Sequence, residues 1–159
     1  EAASAGLDTA AVLNLLDQRR DLTQTFAVLK DMTWGVRGGR IPAWAQRIAQ
    51  WLRLQVILAN TPDGLLKAKG AIIAKPDLVP GFARWLLKRM DKDTMYRLMI
   101  SHCACLDDAK RLRDTILSQH DLINGCWITS TGPAVGVHAG PGSLVVGIQK
   151  HIPWDNAQG

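Results

Sequence analysis

At 159 residues and 47% hydrophobic content, the chain is long enough for one domain with a substantial core. Its net charge is a modest +5, and its longest apolar stretches, Leu54 to Ala59 and Ala71 to Ala74, fall far short of the ~20 residues a membrane-spanning helix needs. Three cysteines, Cys103, Cys105 and Cys126, show no disulfide-like spacing, and no nucleic-acid-binding motif is present. These features argue against a transmembrane protein, a disulfide-stapled secreted scaffold and a nucleic-acid binder, and they suit a reducing cytoplasm.

The sequence begins Glu1-Ala-Ala-Ser-Ala-Gly6, with neither an initiator Met nor the charged and apolar regions of a signal peptide, so it reads as a piece of a longer chain. Asp8 and Thr9 offer an N-cap to a helix over Thr9 to Arg20, with Val12, Leu15 and Leu16 at helical spacing and Arg19-Arg20 at the end that favours cations. Thr23 to Leu29 is expected as a strand, and the glycines Gly35, Gly38 and Gly39 after it require a sharp bend. Pro42 is placed to open a helix in which Trp44, Ile48, Trp51 and Leu52 form one stripe, expected to be buried. Thr61-Pro-Asp-Gly64 is a strong turn signal, so Gln55 to Asn60 and Leu65 to Ile73 should pair as a hairpin.

A third helix is expected over Leu78 to Met90, with Phe82, Leu86 and Met90 on one side, followed by a buried strand over Met95 to Ser101. Asp107 or Asp108 should cap a fourth helix whose inner face is Ala109, Leu112 and Ile116. Leu122 to Ile148 is β-branched and glycine-rich and predicts two or three short strands. The order α-β-α-β-β-α-β-α-β-β implies an α/β (α+β) fold with a mixed, largely antiparallel sheet and helices packed on it.

Three features bear on chemistry. Between Trp34 and Lys75 stand Arg37, Arg40, Arg47, Arg53, Lys67, Lys69 and Lys75 against Asp63 alone, which predicts a basic face and leaves contact with a membrane surface or with phosphate groups open. His102-Cys-Ala-Cys105 resembles a soft metal clip, but on a strand Cys103 and Cys105 share one face and His102 takes the other, so no metal site is assigned. Thr131-Gly-Pro-Ala-Val-Gly-Val-His-Ala-Gly-Pro-Gly-Ser143 places His138 among glycines in what reads as an apolar strand region. Backbone N–H groups at Gly136, Gly140 and Gly142, unscreened by side chains, would suit an anion or carboxylate; the competing reading is a core histidine beside a glycine turn. The segment lacks a Gly-Lys-Ser/Thr ending, a metal-binding carboxylate and a paired acid and base, and Ser130, Thr131 and Ser143 have no evident base, so no residue is assigned as catalytic.

Gly136-Val-His-Ala-Gly-Pro-Gly142 resembles the His-x-Gly-Pro-Gly signature near the C-terminus of DegV proteins, and Arg37-Gly-Gly-Arg-Ile41 resembles their Gly-Gly-Arg-Ile motif about a hundred residues upstream. The Leu7-Asp8-Thr9 helix start, the Phe26-containing strand, the Asp63-Gly64 hairpin before Lys67 and Lys69, and the strand ending in Ser101-His102 agree in order and spacing. The resemblance identifies the chain as similar to the C-terminal half of this family of the EDD-fold superfamily. It implies a bacterial, cytoplasmic, non-catalytic protein that clasps a long-chain fatty acid between two domains, some members being the binding subunit of a fatty-acid kinase.

On that resemblance residues 1–21 link to an absent N-terminal domain, residues 22–150 form the lipid-binding domain and residues 151–159 are a tail. His138, Gly140, Gly142 and Arg40 would serve the fatty-acid carboxylate. Arg37 and Lys69 would face the kinase partner, Lys69 standing where many members have arginine, which is not an equivalent group at a bidentate site. No cofactor is implied beyond the bound fatty acid. Ile57, Leu58, Ile72, Leu98, Ile100 and Ile128 could line the acyl tunnel or belong to the core. An alternative is a regulatory or docking domain of a larger fusion protein.

Overall fold

A computed structural model describes residues 2–73 and 75–152. After a 3-10 turn at Ala3–Ala5, the elements are α1 (Thr9–Arg20), β1 (Thr23–Val28), α2 (Thr33–Arg37), α3 (Ala43–Trp51), β2 (Leu54–Asn60), β3 (Leu66–Ile73), α4 (Val79–Leu87), β4 (Tyr96–His102), α5 (Leu106–Leu117), β5 (Ile123–Ser130), α6 (Pro133–Ala139) and β6 (Leu144–Lys150). The six strands form one sheet in the order β3-β2-β1-β6-β4-β5, antiparallel throughout except for the parallel β4–β5 pair. The expected mixed, largely antiparallel sheet with packed helices is therefore present. The expected tail residues 153–159, with Trp154, lie outside the described residues, as does Ala74.

Alternation along the strands divides the sheet into two faces. Phe26 and Val28, Ile57 and Ala59, Tyr96, Leu98 and Ile100, and Leu144, Val146 and Ile148 point to one side and are buried. They meet α4 and α5, which contribute Phe82, Leu86, Ala109, Leu112 and Ile116 to the same core. Trp85 fastens α4 down: its ring meets Phe26 edge-on at 5.1 Å, Arg89 stacks over it at 3.3 Å, and the strand below carries Gly70, where a Cβ would come within 2.6 Å of the indole nitrogen. An ion pair between Arg111 of α5 and Asp77, just before α4, joins the two helices and lowers the Asp77 carboxyl below its ordinary range. Among the described residues the opposite sheet face has no comparable cover, and Met99 and Trp127 on it are 46% and 51% exposed.

Several sequence expectations need correction. The α3 stripe faces outward: Trp44, Ile48, Trp51 and Leu52 are 66%, 50%, 83% and 49% exposed, and Ala49 is the buried residue of the helix. The inner side carries small residues because α3 lies close to α2, where the Gln46 amide donates to Thr33 Oγ1 at 2.9 Å. Pro42 is the N-cap of α3. Cys105, not Asp107 or Asp108, stands at the cap of α5; the two aspartates occupy its first turn, where the helix dipole favours them. Cys103 and Cys105 lie beyond the end of β4 in a turn at Ala104 (φ 51°), so the strand-face argument does not apply to them. Residues 133–139 form a helix in place of part of the expected strand region, Pro133 fitting its first turn.

The core predicts a specific cost. Replacing Leu112, fully buried between α5 and the sheet, by alanine should destabilise the fold by about 2–5 kcal/mol in urea unfolding, with little change in the slope of the transition.

Candidate functional site

β1, β4 and β5 end, and β6 begins, at the same edge of the sheet, as the pairs Val28–Leu144, His102–Leu144 and His102–Ser130 show. There α2 and α6 pack against one another. The Gly-Gly-Arg segment follows α2 and the His-containing segment forms α6, so two motifs a hundred residues apart in sequence meet in space.

The contact between them is the His138 imidazole resting on Gly38. A Cβ at Gly38 would lie 2.0 Å from His138 Nδ1 and 2.7 Å from Cε1, so no other residue fits under the ring in this position. The bend that holds Gly38 there is closed by Arg40 and Ile41, whose N–H groups both donate to the Gly35 carbonyl at 2.9 and 3.1 Å, with Gly39 at φ +69°. At the start of α2, Asp31 accepts from the Thr33 N–H at 2.8 Å, and these Thr33 contacts lower its carboxyl below the ordinary range.

The glycines after His138 admit the protein's own side chains. A Cβ at Gly140 (φ +74°) would strike the Trp34 ring at 2.1 Å, and one at Gly142 (φ +81°) would strike the Lys30 stem at 2.8 Å. The expected free N–H groups are bonded within the chain: Gly136 donates to Gly132, Gly140 to Gly136 and Gly142 to Cys103, at 2.9, 2.9 and 2.7 Å. Ser143, dismissed as a nucleophile in the sequence, instead ties the segment together, accepting from the Lys30 N–H at 3.2 Å and donating to the Ala139 carbonyl at 2.6 Å. Its place, like those of Gly38 and Trp34, was not foreseen; a serine directly after the His-x-Gly-Pro-Gly run was the available signal.

Two buried polar atoms at this end, His138 Nδ1 and Thr131 Oγ1, have no hydrogen-bond partner among the described residues. Such groups are costly unless something satisfies them. Arg37 and Arg40, both exposed, flank Gly38 in sequence. Lys69 is not brought to them. It is the extra residue of a bulge between the Ile57–Gly70 and Leu58–Ala68 pairs, and it lines a groove of about 590 Å³ with Arg20, Asp21, Thr23 and Gln24 at the other end of β1.

The uncovered sheet face leads to α6. Its rungs are Leu58–Ala27–Val145–Ser101–Thr129 and Thr25–Gly147–Met99–Trp127, largely apolar and small at the centre. Two residues further on, Cys103 and Ser143 continue this face beneath α6, with Cys103 Sγ 4.0 Å from the Gly136 carbonyl. Helix α6 thus closes one end of an open apolar surface. Of the residues considered for a tunnel, Ile57, Leu98 and Ile100 are buried against α4 and α5, Ile72 and Ile128 pack partly against that core, and only Leu58 lies on the open face. Burial raises the thiols of Cys105 and Cys126 above their ordinary range. No grouping of three or more His, Cys, Asp or Glu side chains suited to a metal occurs among the described residues.

The profile of the DegV family, described as uncharacterised proteins, matches residues 1–151. A DegV domain-containing protein of Lactococcus lactis is 23% identical over 146 residues, covering 92% of this chain and 51% of the relative. One from Clostridium acetobutylicum is 32% identical over 108 residues, 68% of this chain and 37% of the relative. The chain spans about half the length of the curated relatives it matches. Among solved structures, the fatty acid binding DegV family protein of Streptococcus agalactiae superposes with a TM-score of 0.75 at 22% identity, over 95% of this chain and 53% of that one. The Streptococcus pneumoniae fatty acid kinase B3 protein, solved loaded with linoleic acid, does so with a TM-score of 0.79 at 16% identity, over 94% and 52%. These structural likenesses establish the fold, and the profile establishes descent: the chain belongs to the DegV family.

Proposed function

We propose that this chain supplies one wall of a long-chain fatty-acid site, the acyl chain lying on the open sheet face and the carboxylate at the His138 end. The observation that carries this reading is the layout of that face: largely apolar rungs running up to a helix whose histidine has a buried nitrogen with no partner among the described residues. A carboxylate is an acceptor that would satisfy an N–H of the His138 imidazole. Arg40, with Arg37 nearby in sequence, supplies compensating charge, while Gly140 and Gly142 act by letting Trp34 and Lys30 lock α6 in place. Relatives whose solved structures hold linoleic acid and heptadecanoic acid support the ligand class.

In the same reading a second segment, corresponding to the half of its relatives that the chain does not span, supplies the facing wall. Helix α1 has no buried residue and exposes Leu13 and Leu16, as a helix leading to such a segment would. Burying a sixteen-carbon chain contributes on the order of 10 kcal/mol before the costs of binding, at roughly 0.8 kcal/mol per methylene, so a single wall would forfeit much of it. The role is binding and presentation rather than catalysis, carried out in the cytoplasm. A fatty-acid kinase that phosphorylates the carboxylate is the partner implied by the likeness to the kinase B3 protein, with Arg37 on the surface offered to it; Lys69, at the other end of β1, stands apart from that surface. No helix among the described residues is long and apolar enough to cross a membrane.

Two measurements test the site. With the facing segment present, His138→Ala should weaken fatty-acid binding about 10–100-fold, as loss of a charge-assisted hydrogen bond does, while the thermal midpoint stays close to that of the parent. Unchanged ligand content on organic extraction and mass spectrometry would remove His138 from the site. Gly38→Ala should cost about 1–3 kcal/mol through collision with the ring, and distinctly less in the His138→Ala background; equal costs in the two backgrounds would show that the ring is not the obstacle.

A further inference from the structure

Each edge of the sheet presents a row of backbone groups that no neighbouring strand pairs. At β5 that row is broken: Gly125 takes φ +114°, the pairing with β4 shifts register, and the Trp127 ring folds over the glycine, where a Cβ would come within 2.5 Å of it. At β3 the first half is guarded by Lys67 and by the bulge at Lys69, devices that discourage pairing with a further strand. Residues 70–73 have neither. They pair with β2 alone and in regular register, and Ile73 at their end is 68% exposed.

Helix α4 overhangs this stretch. A Cβ at Gly81 would lie 3.3 Å from Ile72 Cδ1, and the Trp85 indole covers Gly70. At 3.6 residues per turn Gly81, Arg84 and Lys88 fall within about 60° of the helical circumference, so a single flank of α4 runs along the β3 edge. With Lys75 they bound a groove of about 420 Å³ whose floor includes Ile72, Pro80 and Trp85. Lys75, Arg84 and Lys88 are exposed, and among the described residues none of them is ion-paired; Asp77, the acidic residue of the groove, is held by Arg111.

An unpaired strand edge beside three unpaired cations calls for backbone hydrogen-bonding groups and negative charge in one ligand, and an extended acidic peptide carries both. A second copy of the same edge would set Lys75, Arg84 and Lys88 against their own counterparts. We infer that residues 70–73 of β3 are a docking edge for an acidic segment of a partner protein, which adds to the sheet as a further strand. Side chains alternate between the two faces of such a strand. Its carboxylates on the α4 side meet Lys75, Arg84 and Lys88, and its apolar side chains on the other side lie beside Ala71 and Ile73. Main-chain hydrogen bonds give the affinity and the cations select the sequence. The inference goes beyond the fatty-acid proposal and stands without it, because the groove lies on the α4 side of the sheet rather than on the open face.

The test is titration of the chain, and of a form carrying the facing segment, with a synthetic peptide of about eight residues alternating glutamate and valine, and with polyglutamate of equal length as control. The alternating peptide should bind saturably, at least tenfold more tightly than polyglutamate, and should slow amide hydrogen exchange within residues 70–73. Arg84→Glu/Lys88→Glu should weaken it at least tenfold with an unchanged thermal midpoint. N-methylation of the peptide at its valines alone or at its glutamates alone should abolish binding in one case and be tolerated in the other, since only one edge of an added strand pairs with β3. No saturable binding at millimolar peptide, equal binding of polyglutamate, full binding by the charge-reversal variant, tolerance of both methylation patterns or protection confined to other strands each overturns the proposal. Loss of binding when the facing segment is present would give the edge to that segment and overturn it equally. None of these outcomes depends on whether a fatty acid binds at His138.

Discussion

The His138 imidazole can lie where it does only because residue 38 has no side chain. A methyl group at that position would overlap the ring, and the same economy recurs at Gly140 under Trp34 and at Gly142 against the Lys30 stem. Three glycines therefore replace side-chain packing with backbone contact and draw the end of β1, helix α2 and helix α6 into one assembly. Ser143 fixes it by bonding to both sides. The glycine-rich composition, which from sequence suggests a surface shaped for a ligand, serves first to bring the protein against itself.

That assembly gains meaning from the sheet beneath it. One face is committed to stability, filled by α4, α5 and the inward residues of β1, β2, β4 and β6. The other carries alanine, glycine, serine and threonine between larger apolar residues and is left open, with α6 across its end. Residues that would be attractive tunnel walls by hydrophobicity, such as Ile57, Leu98 and Ile100, are on the committed side. In the proposed reading the ligand lies on the less hydrophobic face, whose small side chains leave room where large ones would fill it.

Much of the architecture was legible because its signals are local. The β2–β3 hairpin follows from Thr61-Pro-Asp-Gly64, with Gly64 at φ +80° as such a turn requires, and α5 follows from Ala109, Leu112 and Ile116 recurring on one face. Helix α6 was hidden because glycine and proline dominate a segment of seven residues, too short for periodicity to register. The α3 stripe was correctly periodic but misassigned, since periodicity identifies a face without saying what it meets, and the close approach to α2 is a tertiary fact. The pairing of His138 with Gly38 was open from the residues alone. Resemblance to DegV proteins placed both motifs in one family without giving their contact; Ser143 was marked only by its place beside the second motif, and Trp34 carried no local mark of its part in it.

The most direct test of this account is nuclear magnetic resonance on protein with nitrogen-15 in its histidines, titrated with a long-chain fatty acid carrying carbon-13 at the carboxyl, in the presence of the facing segment. The His138 ring nitrogens and the carboxyl carbon should shift together, while His102, His120 and His151 change little, and the carboxyl shift should be lost in His138→Ala. A fatty acid that binds and perturbs Ala27, Val145 and Met99 while the His138 ring stays unshifted would contradict it.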